Sequence, residues 1–146
     1  MESKFDFLRE NDYAANETHW KEEQERWLHE LELFYEKLER WLKEPIEEGL
    51  ISIQFTKHEL IEEHLGIYIA PGMKIFTKGK HLEFIPVGRL IIGAQGRVDL
   101  FTEKGDIMLI KLEDENRWLA KEKKRNGMNE KWDEEYFLQV MEWAIS

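Results

Sequence analysis

The sequence predicts one α+β domain: a long N-terminal amphipathic helix and a shorter C-terminal helix packed on a curved antiparallel β-meander of five to seven strands, curved enough to approach a barrel. Three observations carry this. Trp20, Trp27, Phe34 and Trp41 stand seven residues apart with Leu31 and Leu38 between them, and nearly everything else in that stretch is charged. After Gly49 the apolar period falls from helical to alternating. Near the end Phe137, Val140, Met141 and Ala144 return to helical spacing. A stripe of that kind must bury itself against a sheet or another chain.

The chain of 146 residues has the length of a single domain. With 42% hydrophobic residues it can fill a core despite 36% charged ones. Residues 1–16, containing Phe5, Phe7, Leu8 and Tyr13, read as a packed N-terminal arm. The long helix is expected over 17–44, capped by Asn16 or Thr18 and stopped by Pro45. It would be a rod of roughly 40 Å. Glu22 with Arg26, Glu36 with Arg40, and Glu39 with Lys43 are acid-first pairs four residues apart on its exposed face. Leu28, Tyr35 and Leu42 widen the buried seam.

The sheet is expected over 50–121. Ile51, Ile53 and Phe55 alternate with Ser52, Gln54 and Thr56 as a first strand. Thr56 with Glu59 has capping-box spacing and suggests a helical turn to His64. Extended structure resumes at Gly66, turns at Pro71-Gly72, and runs from Met73 to Thr77. Lys78-Gly79-Lys80 turns into a strand from Leu82 to Val87, and Arg89 to Ile92 continues it beyond Gly88. Gly93-Ala94-Gln95-Gly96 reads as a tight turn into Arg97–Thr102, and Glu103–Asp106 as another into Ile107–Leu112. Asn116 to Lys121 is a last strand burying Trp118, and residues 123–127 form a loop. The C-terminal helix is placed over 129–145, starting near Asn129 or Asp133.

The composition also narrows function. There are no cysteines, so disulfides, thiolate metal sites and cysteine nucleophiles are excluded. The absence of cysteine suits a cytoplasmic setting, and no stretch reads as a signal peptide or membrane span. The net charge of −10 is unevenly spread. Residues 1–64 hold 8 basic and 18 acidic side chains, whereas residues 65–98 hold 5 and 1. An acidic total argues against general nucleic-acid binding and favours a basic partner protein.

Candidate chemistry is sparse. In His58-Glu59-Leu60-Ile61-Glu62-Glu63-His64 the position four after His58 is Glu62, so the paired histidines of a zinc-protease helix are absent, and no metal is expected. Gly88, Gly93 and Gly96 lack the Lys-Ser/Thr and following helix of a phosphate loop, and read as turn and bulge residues with positive φ. No nucleophile elbow occurs, so no catalytic residue or cofactor is assigned and enzymatic activity is the minor reading. The one cationic cluster is Arg89 and Arg97, bracketing the glycine turn, with Lys78 and Lys80 nearby in sequence. Two guanidiniums brought together there would grip an anionic ligand, unless Asp99 holds Arg97 instead.

The aromatic load favours a different use. Trp20, Trp27, Leu33 and Glu30 on the long helix are the candidates for a contact outside the monomer core. The leading expectation is thus a non-enzymatic acidic interaction module. It would be an inhibitor or immunity-type binder of a basic partner, or a self-associating subunit. An anion-binding domain is the alternative.

Overall fold

The computed structural model describes residues 13–89, 95–112, 117–122 and 129–146. The Gly93-Ala94 part of the expected glycine turn, the expected strand residues 90–92, Asn116 of the expected last strand, the 123–127 loop and most of the N-terminal arm lie outside them. The elements run α1 (Tyr13–Trp41), α2 (Lys43–Glu47), β1 (Ser52–Glu62), β2 (Gly66–Thr77), β3 (Lys80–Gly88), β4 (Gly96–Thr102), β5 (Gly105–Lys111), β6 (Trp118–Glu122), β7 (Asn129–Lys131) and α3 (Glu134–Ile145). The seven strands form one antiparallel sheet in sequence order, leaving β1 and β7 as its two edges. The class is α+β, and the sheet is not closed into a barrel.

Both helices cover the same face. Phe84, fully buried near the middle of the sheet, has Phe34 of α1 at 5.8 Å and Phe137 of α3 at 6.1 Å between ring centroids. The heptad seam is therefore intramolecular core: Trp27, Leu31, Phe34 and Leu38 are all buried against the sheet. The C-terminal helix matches its expected face, with Phe137, Val140, Met141 and Ala144 buried. Asp133 caps it, accepting a hydrogen bond from the Tyr136 amide at 2.9 Å. Residues Asn129–Lys131 pair with β6 as a short strand before that cap, so the 129 start gives way to 133. This strand delivers Trp132 into the aromatic core beside Phe137 at 5.3 Å.

Several local expectations yield to tertiary packing. The long helix begins at Tyr13, so Asn16 and Thr18 lie inside it rather than capping it. Tyr13-Ala14-Ala15 contains no breaker, and alanine is the strongest helix former. Pro45 does not end the helical region but sits in the first turn of α2, where its missing N–H is not needed. On the exposed face Arg26 pairs with Glu23 rather than Glu22, and Lys43 reaches Glu47 rather than Glu39. The helical turn expected after Thr56 is absent. Ser52 to Glu62 is one continuous strand, because every residue of it pairs with β2 from Ser52↔Phe76 to Glu62↔Gly66. Cross-strand pairing outweighs a local capping signal.

The Pro71-Gly72 turn is likewise absent: β2 runs straight through both residues. Only Met73–Thr77 of β2 also pair with β3, so the β1–β2 ribbon projects beyond the rest of the sheet. At the junction the buried side chains of β2 change parity, from Tyr68 and Ala70 to Met73 and Ile75. Alternate residues face opposite sides of a strand, so the ribbon must twist sharply there. Gly72 permits it: a Cβ at that position would lie 2.7 Å from the Phe84 carbonyl oxygen and 2.5 Å from His58 and Thr56.

Gly96 has a similar reason. Neither it nor Gly88 has the positive φ expected of a turn glycine. Gly88 sits instead at a register shift beside Pro86, and Gly96 lies beneath the indole of Trp27, where an added Cβ would come within 2.3 Å of the ring. Gly96→Ala should therefore lower stability by about 2 kcal/mol through overpacking, read from the urea midpoint at unchanged slope. A midpoint equal to that of the parent chain would show that the ring is not seated there.

A candidate interaction groove

The twist of the β1–β2 ribbon opens a groove against α1. It has a volume of about 520 Å³ and is lined by Leu28, Glu32, Tyr35, Glu36 and Glu39 of α1 and by Phe55, Thr56, Lys57, Ile69 and Pro71 of the ribbon. Tyr35 ties the two walls together, its hydroxyl donating to the Pro71 carbonyl at 2.8 Å. The floor is apolar and one rim is acidic. Neither Glu36 nor Glu39 forms an ion pair among the described residues.

The apolar surface continues past the groove. Phe55 is 55% exposed and Ile69 52%. At the ribbon's tip Ile61 and Ile67 stand directly opposite each other at 74% and 68% exposure. Single exposed apolar residues are ordinary, but a cluster of four on one ribbon face is a candidate contact surface.

The interface candidates on α1 separate clearly. Trp27 has no exposed surface and serves the core, so it is removed from the contact set. Glu30 also points inward, 2.6 Å from the Lys111 ammonium, with side-chain exposures of 14% and 8%. Trp20 stacks on His64 at 4.7 Å, pinning α1 to the β1–β2 connection. Only Leu33 is an exposed large apolar residue, and it does not line the groove. Sequence reading missed Phe55, Ile61, Ile67 and Ile69. The capping-box spacing of Thr56 and Glu59 places Ile61 on a helical turn, and the alternation of Ile67 and Ile69 does not say which face is left bare.

The cationic cluster is dispersed. Lys78 occupies the β2–β3 turn with φ 51°, and Lys80 begins β3, its ammonium 3.4 Å from the Ser146 carbonyl. Arg89 lies beyond the far end of β3, separated by roughly 25 Å of strand. The Arg89 guanidinium reaches Glu23 of α1 at 2.8 Å on the covered side of the sheet. Arg97 alternates with buried Val98 and so faces the open side, gripped by both carboxylate oxygens of Asp99 at 2.8 and 2.9 Å. An anion at either arginine would have to displace a carboxylate. His58 and Glu62 lie on an extended strand, and no group of three potential metal ligands occurs among the described residues.

Behind the groove, Glu62 accepts a hydrogen bond from the Arg89 amide at 2.9 Å and another from the Tyr68 hydroxyl. Burial, with help from Glu62, pushes the Tyr68 phenol above its ordinary range, and burial does the same to Tyr35. These contacts tie the ribbon to Arg89 behind the groove. No helix among the described residues is long and apolar enough to cross a membrane. Comparison of the chain with protein-family models, with curated proteins and with solved structures finds no match.

Two expectations follow. Removing one partner of the buried Glu30–Lys111 pair, as in Lys111→Met, should destabilise the fold by about 3 kcal/mol, whereas Glu30→Leu combined with Lys111→Met should recover most of that. Additive losses in the double mutant would mean that the pair is not coupled. Tyr35 and Tyr68 have folded-state pKa values above the unfolded one, so their contribution is complete below pH of about 10 and is lost as pH rises further. Their absorbance change near 295 nm should coincide with alkaline unfolding rather than precede it.

Proposed function

We propose that this protein is a non-enzymatic interaction module whose groove takes a basic, amphipathic segment of a partner protein. The observation that carries it is the joining of an apolar floor to an acidic rim: Leu28, Tyr35, Phe55, Ile69 and Pro71 below, Glu32, Glu36 and Glu39 alongside. A segment presenting apolar side chains to the floor and lysines or arginines to the rim satisfies both. The surrounding chain strengthens the bias, since the net charge is −10 and α1 holds eight acidic side chains against four basic ones. Long-range attraction would speed encounter with a basic protein. An inhibitor or immunity-type binder that neutralises a basic partner is the physiological form such a surface suits.

The reading is testable with synthetic peptides of alternating Lys and Leu, compared with Glu/Leu and Lys/Ser peptides of equal length by fluorescence anisotropy. Only the Lys/Leu series should bind, more weakly as salt rises. Glu36→Lys with Glu39→Lys should reduce that affinity roughly tenfold, equivalent to losing two partly screened ion pairs. Equal affinity for the Glu/Leu and Lys/Leu peptides would overturn the proposal.

A further inference from the structure

Among the described residues no strand pairs with the outer edge of β1, and the sequence of that edge is complementary to itself. The β2–β3 connection sets the hydrogen-bonding phase of the edge. Lys78 (φ 51°) and Gly79 (φ 73°) form a two-residue turn with both residues left-handed, so the flanking pair Thr77↔Lys80 is hydrogen-bonded. Odd-numbered residues of β2 therefore bond toward β3, and even-numbered ones toward β1. Because every β1 residue pairs with a β2 residue of the same parity, the even-numbered residues of β1 bond inward. The N–H and C=O groups of Phe55, Lys57, Glu59 and Ile61 consequently face out from the edge.

Side chains of the same four residues share one face of the ribbon. Within the ribbon Lys57 is opposite Pro71 and Glu59 opposite Ile69, so neither charge meets a cross-strand partner. Neither forms an ion pair among the described residues. A long open edge with apolar and unsatisfied polar groups invites another strand, and edge charges normally repel one. Here the two charges are opposite in sign and flank His58 symmetrically.

We propose that two copies of this chain pair antiparallel through β1 about a two-fold axis at His58, placing Lys57 of each copy against Glu59 of the other and Phe55 against Ile61. Hydrogen-bonding phase permits only registers in which outward-facing residues meet each other. Sliding the pairing one residue toward the strand's start sets Lys57 against Lys57, and one residue the other way sets Glu59 against Glu59. Two residues toward the start sets Phe55 against Lys57. The His58-centred register alone satisfies both ion pairs and both apolar pairs. It aligns Gln54–Glu62 of each copy over roughly 30 Å, with about eight new backbone hydrogen bonds. The interface is isologous, so it closes at a dimer and joins two seven-stranded sheets into one. Ile61, the most exposed large apolar side chain among the described residues, acquires a partner, and it stands at the groove mouth formed by Phe55 of the other copy. The pairing needs no occupant in the groove, although Phe55 and Lys57 take part in both.

The decisive experiment is sedimentation-velocity analysis of the full chain, of Lys57→Glu, of Glu59→Lys, and of the two variants mixed. Far-ultraviolet circular dichroism and melting curves confirm that each variant folds. The parent chain should be a dimer. Each single variant places like charges opposite one another twice, and its dimer should dissociate at roughly tenfold or higher concentration than the parent's. Mixing the two restores Glu against Lys at both positions and should regenerate a mixed dimer, which a merely misfolded variant could not do. A monomeric parent chain overturns the proposal. So does a dimer indifferent to both substitutions, or a mixture that stays monomeric.

Discussion

Phe84 stands where the two helices meet on the sheet, with Phe34 and Tyr35 of α1 at 5.8 and 6.5 Å and Phe137 and Trp132 from the C-terminal end at 6.1 Å each. Aromatic side chains each bury a large apolar area, and their edge-to-face and tilted contacts add directional preference. Because both helices are gathered over this one ring, every other strand must present its apolar residues on the same face. That explains why Val98, Leu100, Ile107, Leu109 and Ala120 are buried. The opposite face keeps the self-contained ion pairs Arg97–Asp99 and Lys74–Glu83.

Covering the β1–β2 side of a seven-stranded sheet with one long helix leaves a geometric mismatch. The helix is straight on the scale of a few turns, whereas the sheet twists away from it. Trp27 over Gly96 and Trp20 over His64 hold α1 down toward its N-terminal half. Toward its C-terminal half Leu42 packs into the core and α2 turns the chain back to β1. Between these anchors the ribbon departs from the helix, and the gap is the groove. The groove is thus a by-product of how the core closes, which places apolar side chains from β1 and β2 beside carboxylates that α1 carries for its own exposed face.

The buried charges belong to the same closure. Glu30–Lys111 and Glu23–Arg89 each connect α1 to the sheet through partly desolvated groups. Such pairs add little net stability relative to an apolar contact, but an unpaired partner is strongly penalised. They therefore select the register in which α1 lies on the sheet. A helix slid by one turn would keep much of its apolar stripe buried while leaving Lys111 and Arg89 without their carboxylates.

Composition and periodicity by themselves determined the α+β class, the heptad seam of α1, the turns at Lys78-Gly79-Lys80 and Glu103–Asp106, and the buried face of the C-terminal helix. Each of these rests on residues within a few positions of one another, where spacing alone decides which side chains share a face. Tertiary structure decided the rest. Trp27 has the composition of an interface anchor, yet Gly96, 69 positions later, supplies the flat seat that buries it. Thr56 and Glu59 carry a helix-start spacing, and Pro71-Gly72 a turn signal, but eleven consecutive pairings between β1 and β2 override both. Arg89 and Arg97 are close in sequence and lie on opposite sides of the sheet because a bulge and strand parity intervene. The groove and the self-complementary edge were invisible for the same reason: which apolar residues remain exposed depends on which strand face the helices happen to cover, a property of distant segments rather than of neighbours in the chain.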